Sequence, residues 1–252
     1  ADVHMGATHV KGNGSIAHPF DLANFTANVD ATGADLADLY YLAGLTLPNT
    51  PPYHLVGVLQ RRGDVYGMPR VSGRVGDSDL TGRFTAAHQR NGRLKFDGDF
   101  ASRSLDFDDA MAVFGGAPNP RETASAAQRA QAQTLAAQGR LLPDARLDIS
   151  RVRNMDARVS YRAQHVRSDH VPLRGLALDI NLDQGLLRLD PMTLELNQGR
   201  FGGAVSINAR QDIPRVDLDG RLSNARVENF ITMAGNPVTG SLLGRVRLSG
   251  SG

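Results

Sequence analysis

The chain has 252 residues, of which 41% are hydrophobic and 21% charged, a balance that is ordinary for a globular protein and excludes a disordered chain. The 28 Lys and Arg residues are offset by 26 Asp and Glu residues, so the formal net charge of +2 argues against a nucleic-acid-binding protein. Cysteine is absent, which excludes disulfides, Cys-ligated zinc and a thiol nucleophile, and no apolar run reaches the roughly 18 residues of a membrane span.

Alternation of apolar and polar residues predicts strands along most of the chain. In the first half, the alternating runs are residues 53–60, 64–75, 79–87 and 92–100, with Gly or Asn-Gly between most of them. In the second half, they are residues 176–183, 187–190, 194–197, 201–207 and 216–222. About fourteen strands are expected in total. We therefore predict a mainly β fold, a long twisted and mostly antiparallel sheet that is rolled into a groove or half-open barrel.

Helical signals are few and short. Residues 36–44 (LADLYYLAG) align without gaps on residues 227–235 (VENFITMAG), and each segment ends at a Gly that favours helix termination. A weaker third copy starts at Arg93 and leads into an apolar stretch that ends at Gly115 and Gly116. This internal repeat predicts several strands, one short helix at the rim of the sheet, and several strands again.

One compositional break divides the chain. Residues 116–141 are rich in Ala and Gln and contain Pro118 and Pro120. We expect a surface insertion or linker there, with a partner-binding helix as the alternative. The predicted domains are an N-terminal β-groove module at residues 1–115, the insertion at 116–141, and a C-terminal β-groove module at 142–252.

The histidines do not predict a metal site or a general base. The two nearest pairs are His4 with His9 and His165 with His170, both five residues apart in sequences that look extended. Side chains five residues apart in one strand point to opposite faces, so neither pair has the spacing of metal ligands.

The acidic clusters do not predict a site either. Residues 77–79, 106–109 and 217–219 are rich in Asp, but none continues into the twelve-residue loop of a calcium site. We expect them on solvated strand faces or in the first turn of a helix. The sequence thus predicts no catalytic residue, no metal, no cofactor and no enzymatic activity.

The apolar face of the predicted sheet is the candidate site. Two or three short helices are too few to cover it, and a bare face would exceed the few hundred Å² of apolar patch that soluble monomers expose. The sheet must therefore roll on itself, pack as two layers or enclose apolar ligands. A wall of Leu, Ile and Val suits acyl chains because the hydrophobic effect is non-directional. The residues expected to line the groove are Leu176, Leu178, Ile180, Leu182, Leu187, Leu189, Leu194, Leu196, Val205, Ile207, Val216, Leu218 and Leu222.

Three segments together resemble bacterial AsmA family proteins. They are residues 47–84, 92–109 and 141–209, which contain the cores TPPY, VGDSDL and LRLDP. The resemblance implies a Gram-negative envelope protein with a periplasmic β-groove. It also implies an inner-membrane anchor through an N-terminal transmembrane helix that is missing from this chain. Relatives are implicated in moving phospholipids towards the outer membrane and are similar in plan to the eukaryotic bridge-like lipid-transfer proteins.

The leading hypothesis is a non-enzymatic, bridge-like lipid transfer domain that carries phospholipid acyl chains between the inner and outer membranes. Its expected partners are phospholipid or another acyl-chain lipid, the membrane and other envelope proteins, but no nucleic acid. The alternative is a structural or assembly factor for outer-membrane protein biogenesis, in which the sheet is filled by its own side chains. An enzyme acting on envelope glycans has the weakest support, because no pair of carboxylates stands out from the strand pattern.

Overall fold

The computed structural model of the protein describes residues 2–16, 23–39, 49–113, 155–168, 173–211, 213–226 and 240–251. Almost all of these residues lie in strands. The strands are β1 (Asp2–Met5), β2 (Thr8–Ile16), β3 (Asn24–Gly33), β4 (Tyr53–Arg62), β5 (Val65–Val75), β6 (Ser78–His88), β7 (Leu94–Asp106), β8 (Met155–Arg167), β9 (Leu173–Asp183), β10 (Leu186–Leu196), β11 (Arg200–Asn208), β12 (Arg215–Arg226) and β13 (Ser241–Ser251).

These thirteen strands form one curled sheet in sequence order, with β1 at one edge and β13 at the other. Every pair of neighbours is antiparallel except β7 and β8, which are parallel. The two edge strands do not pair with each other, so the sheet is open. The predicted fold class is confirmed. The sheet runs without a break from the first predicted module into the second, and the division into modules stays a prediction.

In the first half, β4 to β7 overlap the four predicted runs, and β7 continues beyond its predicted end to Asp106. In the second half, the runs predicted at 187–190 and 194–197 form a single strand, β10. A bulge at Asp190 and Pro191 gives β10 one residue more than β9 and β11, the two strands that flank it. Before the bulge, the odd-numbered residues of β10 lie on the same face as Leu189, and after it the even-numbered residues do. The alternation of apolar residues is therefore interrupted, and the single strand looks like two strands in the sequence.

Two short helical segments are described. A 3-10 helix spans Leu36–Leu39, and the α-helix α1 spans Phe107–Val113, within the apolar stretch that follows the third repeat copy. Asp35 Oδ1 accepts hydrogen bonds from the backbone N–H of Ala37 and Thr50, both at 2.9 Å, and so caps the first segment. The rest of the helix predicted at 36–44, the helix predicted at 227–235 and the insertion at 116–141 lie outside the described residues.

The parallel pair decides where the helical segments lie. Antiparallel strands alternate in direction, so β3, β5 and β7 end at the same rim of the sheet, and the parallel pairing makes β8, β10 and β12 end there too. The 3-10 helix follows β3 and α1 follows β7. Both therefore lie at one rim, which we call the helical rim; the opposite rim is the turn rim.

Buried apolar side chains concentrate at the two rims of β6 to β12. At the helical rim, Phe107 and Ala110 of α1 pack against a buried cluster formed by Leu105, Ala163, Val166, Leu173, Leu196 and Ala225. At the turn rim, the buried residues are Ala86, Leu94, Ala157, Leu182 and Leu187. The hydrophobic core of this part of the sheet is thus divided between the two ends of the strands.

Candidate functional site

The strand register places all thirteen predicted groove residues on one face of the sheet, because directly paired residues in neighbouring strands share a face. One row across β9 to β12 is Leu182, Leu187, Ile207 and Val216, and the next row is Ile180, Leu189, Val205 and Leu218. Leu178 pairs with Met192, Leu176 with Leu194, Leu196 with Leu173, and Leu222 with Phe201. We call this surface the apolar face.

The apolar face continues across the whole sheet, beyond the residues named from the sequence. One row of paired residues crosses it at mid-strand from β2 to β13, and we call it the central row. Its members are Gly12, Val29, Gly57, Val71, Gly82, Phe100, Tyr161, Leu178, Met192, Gly203, Gly220 and Val246. Of these, only Leu178 is among the groove residues predicted from the sequence.

Glycines in the central row let the backbone curve towards the apolar face. A Cβ atom on Gly203 would lie 2.5 Å from the carbonyl oxygen of Asp219, and one on Gly220 would clash with the Cζ end of the Phe201 ring. Met68 and Phe100 cover Gly57 and Gly82 in the same way. Side chains crowd most on the inner side of a bend, so glycines covered by large neighbours favour curvature at these points.

Within the described part of the chain, the predicted groove residues in the middle of the apolar face are less buried than those at the rims. Of the thirteen predicted residues, only Leu182, Leu187 and Leu196 are buried, each 7% exposed, and these three lie at the rims. Nine others, including the mid-strand Ile180 and Leu189, are only half-buried. Val216 is 42% exposed. Among the described residues, the strand centres of β9 to β12 therefore form an apolar wall that is only partly covered.

Two polar side chains on the apolar face, Tyr161 and Ser102, are hydrogen-bonded to each other. The Tyr161 hydroxyl donates to Ser102 Oγ at 2.7 Å, and Ser102 Oγ donates to the carbonyl oxygen of Asp79. Burial raises the pKa of the Tyr161 hydroxyl, which therefore stays neutral. This pair satisfies its own hydrogen bonds and leaves the surrounding wall apolar.

The opposite face of the sheet is polar and carries charges of both signs. Asp219 accepts hydrogen bonds from Arg245 at 2.8 Å and Arg247 at 3.1 Å, and these contacts lower the pKa of its carboxyl group. A shallow depression on this face is lined by residues that include Arg83, Asp99 and Asp179. Acidic and basic side chains alternate along it, as expected of a solvated outer wall.

The acidic clusters predicted from the sequence lie on different parts of the fold. Residues 217 and 219 lie on the polar face, as expected. Residues 77–79 and 106–109 meet at the helical rim, where buried Asp109 accepts hydrogen bonds from Ser78. Asp109 does lie in the first turn of α1, but its carboxylate fixes a turn of the sheet and does not face solvent.

The expectation for His4 and His9 is wrong. They are direct partners across the β1–β2 hairpin, so their side chains lie on the same face of the sheet. The opposite-face rule applies to residues of one strand, and a two-residue turn at Gly6 and Ala7 places these histidines on two strands. Of the other pair, His165 lies in β8 and residue 170 lies outside the described residues.

Among the described residues, no helix is long and apolar enough to cross a bilayer.

The AsmA family model matches residues 20–252. The AsmA family protein YhjG of Escherichia coli (strain K12) is 27% identical over 229 residues, in an alignment that covers 88% of this chain and 33% of that protein. The chain thus spans about a third of the length of this relative. No solved structure shows a significant match. With its family model matched over almost its whole length, the chain belongs to the AsmA family.

Proposed function

We propose that the apolar face binds the acyl chains of phospholipids and that the chain is one section of a bridge along which lipids move between the inner and outer membranes. The observation that carries this proposal is the half-buried middle of the apolar face, between two buried rims. Membership of the AsmA family supports a role in envelope or lipid-related assembly.

The dimensions of the sheet suit acyl chains. Thirteen strands at a spacing of about 4.8 Å make a trough of roughly 58 Å. Acyl chains are about half as long as the 30 Å hydrocarbon core of a bilayer, so several would fit along the trough. Burial of each CH₂ group contributes about 0.8 kcal/mol, which is enough to hold a chain of ordinary length.

Movement along the trough requires no chemistry at a fixed point. Contacts between an acyl chain and a continuous wall of Leu, Ile and Val are non-directional, so neighbouring positions are nearly equivalent in free energy. The headgroup would stay in water at the open side of the curled sheet. The proposal therefore includes no cofactor and no catalytic residue, and the AsmA family is not known for enzymatic activity.

The location is part of the same proposal. We place the chain in the periplasm, as part of a protein held in the inner membrane by a helix outside this sequence and in contact with other envelope proteins. The resemblance of the cores TPPY, VGDSDL and LRLDP to AsmA family proteins supports this placement.

Site-specific photo-crosslinking tests the proposal. A photo-reactive amino acid at Leu189 would lie on the apolar face, and the same group at Arg188 would lie on the polar face one residue away. After incubation with phospholipid vesicles, we expect lipid adducts at position 189 and few at 188, as measured by mass spectrometry. Equal labelling at the two positions, or none at 189, would overturn the proposed lipid path.

A matched pair of variants gives a second measurement. Val205 lies on the apolar face of β11 and Ser206 on the polar face. A charge on the apolar face must be desolvated when lipid binds, so we expect Val205→Asp to reduce the phospholipid retained in native mass spectrometry at least about tenfold. Ser206→Asp should retain lipid like the wild type. Circular dichroism would establish that both variants fold, and full lipid retention by folded Val205→Asp would contradict the proposal.

One observation favours the alternative, an assembly factor. The edge strand β13 is eleven residues long and is paired on one side only among the described residues, and it exposes Leu243 and Leu248, both more than 60% accessible. Such an edge can accept a strand of a client protein. Crosslinks from β13 to outer-membrane proteins, without lipid adducts at position 189, would favour assembly over lipid transfer.

A further inference from the structure

The β1–β2 hairpin brings three potential metal ligands together on the polar face. Asp2, His4 and His9 point to the same side, because His4 pairs directly with His9 and Asp2 is two residues from His4 in β1. The two imidazole rings stack with centroids 3.8 Å apart and an angle of 15° between their planes. Both Nε2 atoms point at one oxygen: Asp2 Oδ1 lies 2.5 Å from that of His9 and 3.2 Å from that of His4.

These distances are close to those of a metal site. All three ligand atoms lie within 4.8 Å of one another. In a tetrahedral site with bonds of about 2.0–2.1 Å, neighbouring ligand atoms are about 3.3 Å apart. The His4 to Asp2 separation of 3.2 Å is close to this value, and the His9 to Asp2 contact needs to open by less than about 1 Å. The two imidazole rings must also turn out of their stack, because each Nε2 lone pair lies in the plane of its own ring.

We propose that Asp2, His4 and His9 bind a divalent transition-metal cation of the zinc class. Two imidazoles and one carboxylate suit zinc, nickel or copper, whereas calcium and magnesium prefer oxygen ligands throughout. The side chains of Asp2 and His4 are 56% and 69% exposed, so water completes the coordination sphere and the ion enters directly from solvent.

One positive charge lies beside the proposed ligands. Lys11 is the direct partner of Asp2 across the hairpin and contributes a positive charge on the same face. Its flexible ammonium group can move into solvent when the cation binds.

The site would close the edge of the sheet. The strand β1 has only four residues and pairs with β2 alone among the described strands. An ion held by Asp2 and His4 from β1 and by His9 from β2 joins the two strands and opposes fraying. Val3 and Val10 lie on the apolar face, so the ion does not touch the proposed lipid path.

Metal titration of the chain without a polyhistidine tag tests the proposal. We expect calorimetry to give one Zn²⁺ per chain, and Co²⁺ to give the visible absorption bands of a low-symmetry site. Even outer-shell partners of a metal contribute about 10–100-fold to affinity, so loss of a ligand in His9→Ala or Asp2→Asn should weaken Zn²⁺ binding at least about tenfold. Zn²⁺ should also raise the melting temperature of the wild type more than that of His9→Ala.

The matched control is His54→Ala. His54 Nε2 lies 3.0 Å from Asp30 Oδ1 on the same face, but no third ligand accompanies this pair among the described residues. We expect His54→Ala to bind Zn²⁺ like the wild type. The proposal is wrong if the wild type does not bind Zn²⁺ when the ion is present at 1 mM, because the Kd would then be weaker than about 1 mM. It is equally wrong if His9→Ala binds like the wild type, or if His54→Ala loses as much affinity as His9→Ala.

Discussion

At the scale of single residues, Gly202 and Gly203 are neighbours on β11 with opposite surroundings. A Cβ on Gly203 would lie 2.5 Å from the carbonyl oxygen of Asp219 and 2.8 Å from Cα of Gly220, whereas a Cβ on Gly202 would meet nothing within 4 Å. We therefore expect Gly203→Ala to lower the free energy of unfolding by about 1–3 kcal/mol. Gly202→Ala should change it by less than about 0.5 kcal/mol. Urea denaturation measures both, and equal effects would contradict a special close approach at Gly203.

At the scale of elements, α1 depends on one buried carboxylate for its position. A helix of seven residues is too short to be stable alone. Asp109 is 4% exposed, and its Oδ2 accepts hydrogen bonds from the N–H of Asp77 at 3.0 Å, the N–H of Ser78 at 2.9 Å and the Ser78 hydroxyl at 2.6 Å. This carboxylate joins the helix to the β5–β6 turn.

We expect Asp109→Ala to lower the free energy of unfolding by about 2–3 kcal/mol, because two backbone N–H groups lose a charged acceptor in a buried site. The amide of Ser78 should also exchange its hydrogen faster. Asp108→Ala is the control, since Asp108 lies in the same first turn and its interaction with the helix dipole contributes about 0.3–1 kcal/mol. A loss of stability from Asp108→Ala as large as that from Asp109→Ala would mean that the acidic turn, and not the bonds to Ser78, holds α1.

At the scale of the whole molecule, strand alternation carried most of the information about the apolar face. Leu176, Leu189 and Val205 were assigned to one face from parity within their own strands, and pairing by direct register preserved that face across the sheet. The family cores VGDSDL and LRLDP coincide with irregular points, the turn bound by Asp109 and the bulge at Asp190. Glycine, aspartate and proline occur there for local geometric reasons, so the sequence marks these places without revealing their partners.

The parallel pairing of β7 and β8 could not be predicted in this way. Side chains alternate between the two faces of a sheet in parallel and in antiparallel strands, so the alternation of apolar and polar residues does not distinguish the two kinds of pairing. The same limitation explains the error at His4 and His9, whose common face depends on a hairpin and not on distance along one strand. In both cases the missing information is which strands are neighbours, a property of pairs of segments.

The junction between β7 and β8 is held at the turn rim by Arg93 and Asp156, which join the two halves of the sheet. Arg93 binds both carboxylate oxygens of Asp156, with Nη2 to Oδ1 at 2.5 Å and Nε to Oδ2 at 3.1 Å, and both side chains are about one-fifth exposed. The N–H of Gln184 also donates to Asp156 Oδ1 at 3.0 Å. The hydrogen bond from Arg93 lowers the pKa of the Asp156 carboxyl group in the folded protein.

A lowered pKa in the folded state means that ionised Asp156 stabilises the fold above the ordinary carboxyl range and that this stabilisation is lost as the pH falls below about 4. We expect Asp156→Asn to lower the free energy of unfolding by about 1–3 kcal/mol at pH 7 and to reduce its decline between about pH 4 and pH 2. Asp99→Asn is the control, because the Arg83–Asp99 pair is exposed and should contribute less than about 1 kcal/mol. Urea denaturation at several pH values measures both effects. An undiminished acid sensitivity in Asp156→Asn would show that other carboxylates set the pH dependence and that the junction between the two halves does not rely on this ion pair.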